Sequence, residues 1–170
     1  NQRIKILLYH NTSTGIAGEM NVNPHKFEEQ LEWLVKSYKI ISLDEAVTLL
    51  QKGALSSQAS VAITFDDGYQ SNYENAYPLL KARGAEAVIF LLSGQNGDSR
   101  KTDHLDSFKG YEKELVTWDE ARQMAASHVS FGSHGVSHSR LKNLADEKLK
   151  NEIISSKDKI ESELKKPVRF

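Results

Sequence analysis

The chain contains no cysteine and only three prolines among its 170 residues. Without cysteine it can form no disulfide, no thiolate-bound zinc or iron–sulfur site, and no thiol nucleophile. Its 22 Lys and Arg residues nearly balance its 23 Asp and Glu residues, so it lacks the basic excess expected of a nucleic-acid-binding protein. No apolar run approaches the roughly 20 residues that a membrane-spanning helix requires. The apolar and charged contents, 39% and 26%, are those of a globular domain.

Short apolar runs alternate along the chain with amphipathic segments, which is the pattern of an α/β fold with parallel strands. The length predicts one domain over residues 1–170. We predict five strands, at residues 4–9, 39–41, 61–65, 86–92 and 129–131. Residues 167–170 are expected to begin a sixth.

Helices are predicted where capping residues precede apolar residues at helical spacing. Asn23, Ser42 and Thr117 are the expected N-caps, the last in a capping box with Glu120. Residues 73–83 are predicted to be helical as well. A final long helix is expected to bury one apolar stripe, formed by Leu149, Ile153, Ile160 and Leu164.

Polar residues follow three of the predicted strands at the point where each strand ends. They are His10 after the first, Asp66 and Asp67 after the third, and His134 after the fifth, with His138 close behind. In parallel α/β folds the functional groups gather where strands end and loops begin. We therefore expect these side chains to meet.

The pair Asp66-Asp67, followed by Gly68, has two interpretations. Asp and Gly are common turn residues, so the pair is compatible with simple turn chemistry. Two adjacent carboxylates also disfavour joint ionisation, and a divalent cation relieves that repulsion. In the second interpretation one carboxylate binds the metal while its neighbour stays free as a base.

The four-residue spacing of His134 and His138 lies within the range found at zinc sites, and on a helical turn it places both rings on one face. The alternative is a polar loop in which His134 is bonded to a backbone carbonyl. Together with Asp67, the two imidazoles form a set of three ligands with room for water, which is the layout of a catalytic metal site. His10 either takes part in this site or only caps its strand.

The sequences TFDDG at residues 64–68 and SHGVSH at residues 133–138 resemble the first and second motifs of the polysaccharide deacetylases, the NodB-homology domains of carbohydrate esterase family 4. The sequence LYH at residues 8–10 is similar to the subgroup that de-N-acetylates poly-N-acetylglucosamine. The resemblance implies a distorted (β/α) barrel and a metal-dependent hydrolase. It also implies that the protein acts outside the cell, at the cell surface or in the periplasm.

Carried onto this sequence, the resemblance assigns a divalent metal to Asp67, His134 and His138. The metal is expected to be zinc, with cobalt, nickel or manganese as alternatives. Asp66 would be the general base, and His10 would contact the substrate or support the site. The expected reaction is hydrolysis of N-acetyl groups on a polysaccharide that contains N-acetylglucosamine.

Residues 166–170 are similar to the segment that leads into the third family motif. The later motifs are absent from the sequence, so we expect a barrel that is incomplete at its C-terminal end. The start at Asn1, without Met, suggests a processed chain. Alternative substrates within the same chemistry are peptidoglycan, chitin and acetylated xylan, with residues 93–114 expected to govern the choice.

Two interpretations of a different class stay open. One is a module that binds metal or sugar without turnover, and the other, more remote, is a two-metal phosphoesterase.

Overall fold

A computed structural model describes residues 4–16, 18–53, 58–94 and 114–170. Its centre is a five-stranded sheet in which the strands run parallel. The strands are β1 (Ile4–Tyr9), β2 (Lys39–Ile40), β3 (Ser60–Phe65), β4 (Ala87–Leu91) and β5 (Val129–Ser133). The predicted α/β fold is confirmed. β1 has the predicted bounds, and β2 to β5 differ from the predicted strands by one or two residues at their ends.

The strand order is β1-β3-β4-β5, and every residue of the central β3 is buried. β1 pairs with β3 along the full length of both strands. On the other side of β3, β2 pairs with its first two residues and β4 with its last three. Because all pairs are parallel, the C-terminal ends of β1, β3 and β5 open on the same edge of the sheet.

In the part of the chain that the structure describes, six α-helices connect or follow the strands. They are α1 (Pro24–Ser37), α2 (Leu43–Gln51), α3 (Tyr77–Ala82), α4 (Trp118–Ala125), α5 (Asp146–Lys150) and α6 (Ser156–Leu164). The three predicted N-caps are confirmed: the side chains of Asn23, Ser42 and Thr117 accept hydrogen bonds from the first-turn amides of α1, α2 and α4. Within the described residues, none of the helices is long and apolar enough to cross a membrane.

An aromatic cluster supports the site end of the sheet. The ring of Tyr9 at the end of β1 lies 5.4 Å from that of Phe65 at the end of β3, and both rings contact Phe27 of α1. Such aromatic pairs stabilise a fold by about 0.5–1.5 kcal/mol beyond the area they bury. The cluster therefore gives a rigid base to the residues that follow each strand, His10 and Asp66.

The helix predicted over residues 73–83 is interrupted. A π-helical turn, Asn72–Ala76, precedes α3. Pro78 lies in the first turn of α3 and has no amide hydrogen to donate to the carbonyl of Glu74, four residues earlier. The wider turn accommodates that missing bond.

The predicted apolar stripe of the last helix is wrong at Ile153, whose side chain is 52% exposed. A second π-helical turn, Asn151–Ser155, separates α5 from α6 and rotates the helix surface. The residues that face inward are Glu152, Ser156, Ile160 and Leu164.

Residues 167–170 do not form the predicted strand, although the carbonyl of Phe170 accepts a hydrogen bond from the Ser133 amide at 2.9 Å, beside β5. Most of the predicted specificity segment, residues 95–113, lies outside the described part of the chain.

Candidate active site

Asp67 is held by a sharp turn directly after β3. The Asp66 amide extends the sheet pairing by one bond, to the Tyr9 carbonyl at 2.9 Å. Asp67 and Gly68 then take left-handed conformations, with φ of 70° and 71°. Aspartate is among the few residues other than glycine that tolerate this region. The turn buries Asp67, which is 1% exposed, while the Asp66 side chain is 18% exposed.

His134 and His138 lie in a loop, so a helical turn is not what brings their rings together. The His134 amide donates to the carbonyl of Leu91 at the end of β4, so the loop begins in line with the sheet. Left-handed conformations at Gly135 (φ 89°) and His138 (φ 61°) then fold the loop back. The two imidazole rings consequently lie side by side, with a centroid distance of 5.2 Å and a tilt of 39° between their planes.

These two turns bring three predicted ligand atoms together. Oδ1 of Asp67 lies 3.4 Å from Nε2 of His134 and 3.5 Å from Nε2 of His138. Ligand bonds of about 2.0–2.1 Å in a tetrahedral zinc site give ligand-to-ligand distances of about 3.3–3.4 Å. The same Oδ1 is buried and accepts no hydrogen bond, a costly arrangement that a cation would relieve. The three side chains therefore fit a divalent metal ion.

The pKa shifts in the site follow from its burial. Burial raises the pKa of Asp67, and the neighbouring histidines only partly oppose that rise. Burial also lowers the pKa of His134. The lowered pKa favours the neutral form of His134, which is the form that binds a metal, and a cation beside Asp67 would offset the cost of burying its charge.

Asp66 lies beside the ligand cluster and contacts a different histidine. Its Oδ2 is 3.9 Å from Nε2 of His10. Burial raises the pKa of Asp66, and the charges of His10 and His138 oppose the rise. The structure thus brings all five predicted site residues to one place, with His10 next to the candidate base rather than next to Asp67.

Buried polar residues that the sequence analysis did not identify hold the loops in place. The Ser71 hydroxyl donates to Oδ1 of Asn11 at 2.6 Å, and the Asn72 side chain donates to the His10 carbonyl at 2.8 Å. On the opposite side, Glu152 and Ser156 contact the histidine loop. Single polar residues in loops and helices carry no periodic pattern, so only the fold shows which of them turn inward.

A cavity of about 530 Å³ adjoins the two histidines. Leu141, Ile153 and Val168 contribute apolar walls, and Arg140, Lys157 and Arg169 contribute positive charge. A cavity with apolar walls and a few polar groups, opening onto candidate reactive side chains, suits a small-molecule or sugar unit.

Comparison with known proteins agrees with this geometry. The family model "Polysaccharide deacetylase" matches residues 55–170. YxkH of Bacillus subtilis, named as a provisional polysaccharide deacetylase, is 31% identical over 156 residues, or 91% of this chain and 50% of its own. The poly-β-1,6-N-acetyl-D-glucosamine N-deacetylase of Staphylococcus aureus is 36% identical over 93 residues, which are 54% of this chain and 31% of that one. The chain therefore spans half or less of these relatives.

Solved structures share the fold. The Streptococcus pyogenes deacetylase PplD, in complex with acetate, superposes with a TM-score of 0.81 at 26% identity, covering 97% of this chain and 70% of PplD. IcaB from Ammonifex degensii superposes with a TM-score of 0.80 at 21% identity, covering 99% of this chain and 72% of IcaB. The α/β architecture is thus that of the deacetylase barrels.

Proposed function

Because the chain belongs to the polysaccharide deacetylase family, we propose that it hydrolyses N-acetyl groups on a polysaccharide containing N-acetylglucosamine, with a divalent metal held by Asp67, His134 and His138. We propose that residues 1–170 act as a single domain of this type. The observation that carries the proposal is the buried Oδ1 of Asp67, which accepts no hydrogen bond and lies 3.4 and 3.5 Å from two imidazole nitrogens.

When bound, a metal ion at this position lowers the pKa of a water molecule towards neutrality and polarises the acetamide carbonyl. Asp66 is the proposed general base, because it lies next to a ligand yet stays partly exposed. Its carboxylate takes the proton from water as the water oxygen attacks the carbonyl carbon. The C–N bond then breaks as the nitrogen takes the proton held by Asp66, giving a free amine and acetic acid, which ionises to acetate. A raised pKa makes Asp66 a stronger base than an ordinary aspartate.

His10 is proposed to orient Asp66 or the substrate, since its imidazole lies 3.9 Å from Oδ2 of Asp66. Zinc is the proposed metal, because two imidazoles and one carboxylate with an open position are typical of catalytic zinc; cobalt, nickel and manganese are the alternatives. The cavity beside His134 is the proposed binding place for a sugar unit.

Poly-β-1,6-N-acetylglucosamine is the proposed polymer, supported by the S. aureus relative of that name. Peptidoglycan, chitin and acetylated xylan remain alternatives within the same chemistry. We propose that the protein works outside the cell, at the surface or in the periplasm, since polymers of this kind are found there.

The test measures zinc binding and acetate release on the same preparations. Wild type is compared with Asp67→Ala, His138→Ala and the control His128→Ala, which removes an exposed histidine. We expect one equivalent of zinc in wild type and in the control, and none in the two site variants. With zinc bound, wild type is expected to release acetate from a β-1,6-linked N-acetylglucosamine oligomer.

A folded wild-type chain that binds no stoichiometric metal would contradict the metal site. Binding of zinc without acetate release from the oligomer, from chitin or from peptidoglycan would contradict the hydrolase and favour the non-catalytic module.

A further inference from the structure

The helical segment after the histidine loop turns two polar side chains towards it. Glu152 is 6% exposed and Ser156 is fully buried. Carboxylates are rarely buried unless they are paired or hydrogen-bonded, so the partners of Glu152 identify what it does.

The Glu152 carboxylate accepts three hydrogen bonds from the loop. Its Oε2 accepts from the amides of Val136 at 2.7 Å and Ser137 at 3.0 Å, and its Oε1 accepts from the Ser137 hydroxyl at 2.5 Å. All three donors lie between His134 and His138. Bonds from backbone amides to an ionised acceptor are among the stronger ones in proteins.

Ser156, one helical turn after Glu152, also forms hydrogen bonds with the histidine loop. Its hydroxyl donates to the Gly135 carbonyl at 2.9 Å and accepts from the Ser133 hydroxyl at 2.7 Å. The Ser133 oxygen in turn accepts from the Gly135 amide at 3.3 Å. Together, Glu152 and Ser156 contact four of the five residues from Ser133 to Ser137.

The shape of the loop also depends on this contact. A side chain at Gly135 would place its Cβ only 2.8 Å from Oε2 of Glu152, and the φ of 89° there also favours glycine. The π-helical turn Asn151–Ser155 lets Glu152 and Ser156 face the loop together. A regular helix with the predicted apolar stripe would instead have turned Ile153 inward, and Ile153 is exposed.

We infer that Glu152, supported by Ser156, is a positioning residue that holds the loop of His134 and His138 in the metal-binding arrangement before any metal arrives. The inference rests on the proposed function, because it assumes that these histidines are ligands. A loop that is ordered before the metal binds loses less conformational entropy on binding. The hydrogen bonds from the loop to Glu152 and Ser156 therefore raise the metal affinity.

The test compares Glu152→Gln and Ser156→Ala with two controls on the same helical segment, Glu147→Gln and Ser155→Ala, whose side chains are exposed. Zinc affinity is measured by competition with a chelating dye. Amide hydrogen exchange is measured on the metal-free proteins. Glu152→Gln keeps the shape of the side chain but places an NH₂ group against the loop donors.

We expect Glu152→Gln to weaken zinc binding about 10- to 100-fold, the range typical of groups that support metal ligands. Ser156→Ala removes neutral hydrogen bonds and is expected to cost about fivefold. Exchange at the amides of Val136 and Ser137 should quicken in Glu152→Gln without metal. Both controls should match wild type in affinity and exchange.

Wild-type zinc affinity in folded Glu152→Gln would overturn the inference, whatever its melting temperature, because a purely structural role lowers stability without weakening zinc binding below the melting transition. Should Glu152→Gln fail to fold, unchanged affinity in Ser156→Ala would overturn it. If wild type itself binds no zinc, the proposed function fails, and the exchange measurement still decides whether Glu152 holds the loop.

Discussion

At the scale of single residues, Asp66 and Asp67 are neighbours in the chain but lie in different surroundings. The left-handed turn at Asp67 and Gly68 sends the Asp67 carboxylate inward between two imidazoles and leaves Asp66 beside His10. One carboxylate is therefore placed to bind a cation, and the other to exchange a proton with water. The backbone conformation, rather than the side-chain type, separates the two roles.

Without metal, we expect Asp67→Asn to be more stable than wild type at pH 7. Burial raises the pKa of Asp67, so the stability present with a protonated carboxyl is lost as pH rises through the raised pKa. Below pH 3.8, the ordinary pKa of an aspartate, the Asp67 carboxyl of wild type is protonated and as neutral as the asparagine of the variant. The difference in stability between the two proteins should vanish there. Asparagine also tolerates the left-handed conformation.

This prediction is checked by thermal melts in chelator at pH 7 and at a pH of about 3.5, where Asp67 is protonated. Each kcal/mol gained at pH 7 should raise the melting temperature by about 2–4 °C. Asp158→Asn, at an exposed position of α6, is the control. A lower melting temperature for metal-free Asp67→Asn at pH 7 would count against the electrostatic account.

At the scale of elements, β5 depends on a close approach that only glycine allows. A Cβ at Gly132 would lie 2.5 Å from Cδ1 of Phe90 on β4 and 3.1 Å from the carbonyl of Phe170. These contacts set the distance of β5 from β4 on one side and from Phe170 on the other. The loop that carries His134 and His138 follows directly after β5.

We therefore expect Gly132→Ala to lower the free energy of unfolding by about 1–3 kcal/mol, the usual cost of overpacking a core. Ser130→Ala, at an exposed position of the same strand, should stay within about 0.5 kcal/mol of wild type. Urea denaturation of the three proteins measures both values. Equal stability of Gly132→Ala and wild type would show that Phe90 moves aside without cost.

At the scale of the whole molecule, the candidate site joins segments that are far apart in sequence. Asp67 follows β3, whereas His134 and His138 follow β5, and β4 separates the two strands in the sheet. A ligand that binds all three side chains favours only the folded chain, so its binding free energy adds to the stability of the fold.

Zinc at about 100 times its dissociation constant should stabilise the protein by about 2.7 kcal/mol. For a chain of this size the melting temperature should rise by about 5–11 °C, and a chelator should reverse the rise. His138→Ala is the control, and its melting temperature should not respond to zinc. A wild-type melting temperature that is independent of zinc would contradict the site.

Sequence patterns were enough to predict the parallel α/β fold, the strands β1 to β5 to within two residues at their ends, and the helix caps, and they singled out the candidate site residues. The alternation of apolar runs with amphipathic helices and the chemistry of helix caps are both local properties of the sequence. The residues at strand ends could be predicted to meet because the C-terminal ends of parallel strands lie on one edge of the sheet. The family resemblance carried by the motifs at residues 64–68 and 133–138 was confirmed by the match over residues 55–170.

Which side chains turn inward around those residues depends on packing in the folded chain. The π-helical turn at Asn151–Ser155, the left-handed conformations at Asp67 and His138, and the burial of Glu152 and Ser156 follow from packing against distant segments. One extra residue in a helical turn rotates everything before it, so a regular helical period placed Ile153 inward where the fold places Glu152. Periodicity describes an isolated helix, and the contacts of the folded chain choose the face that is buried.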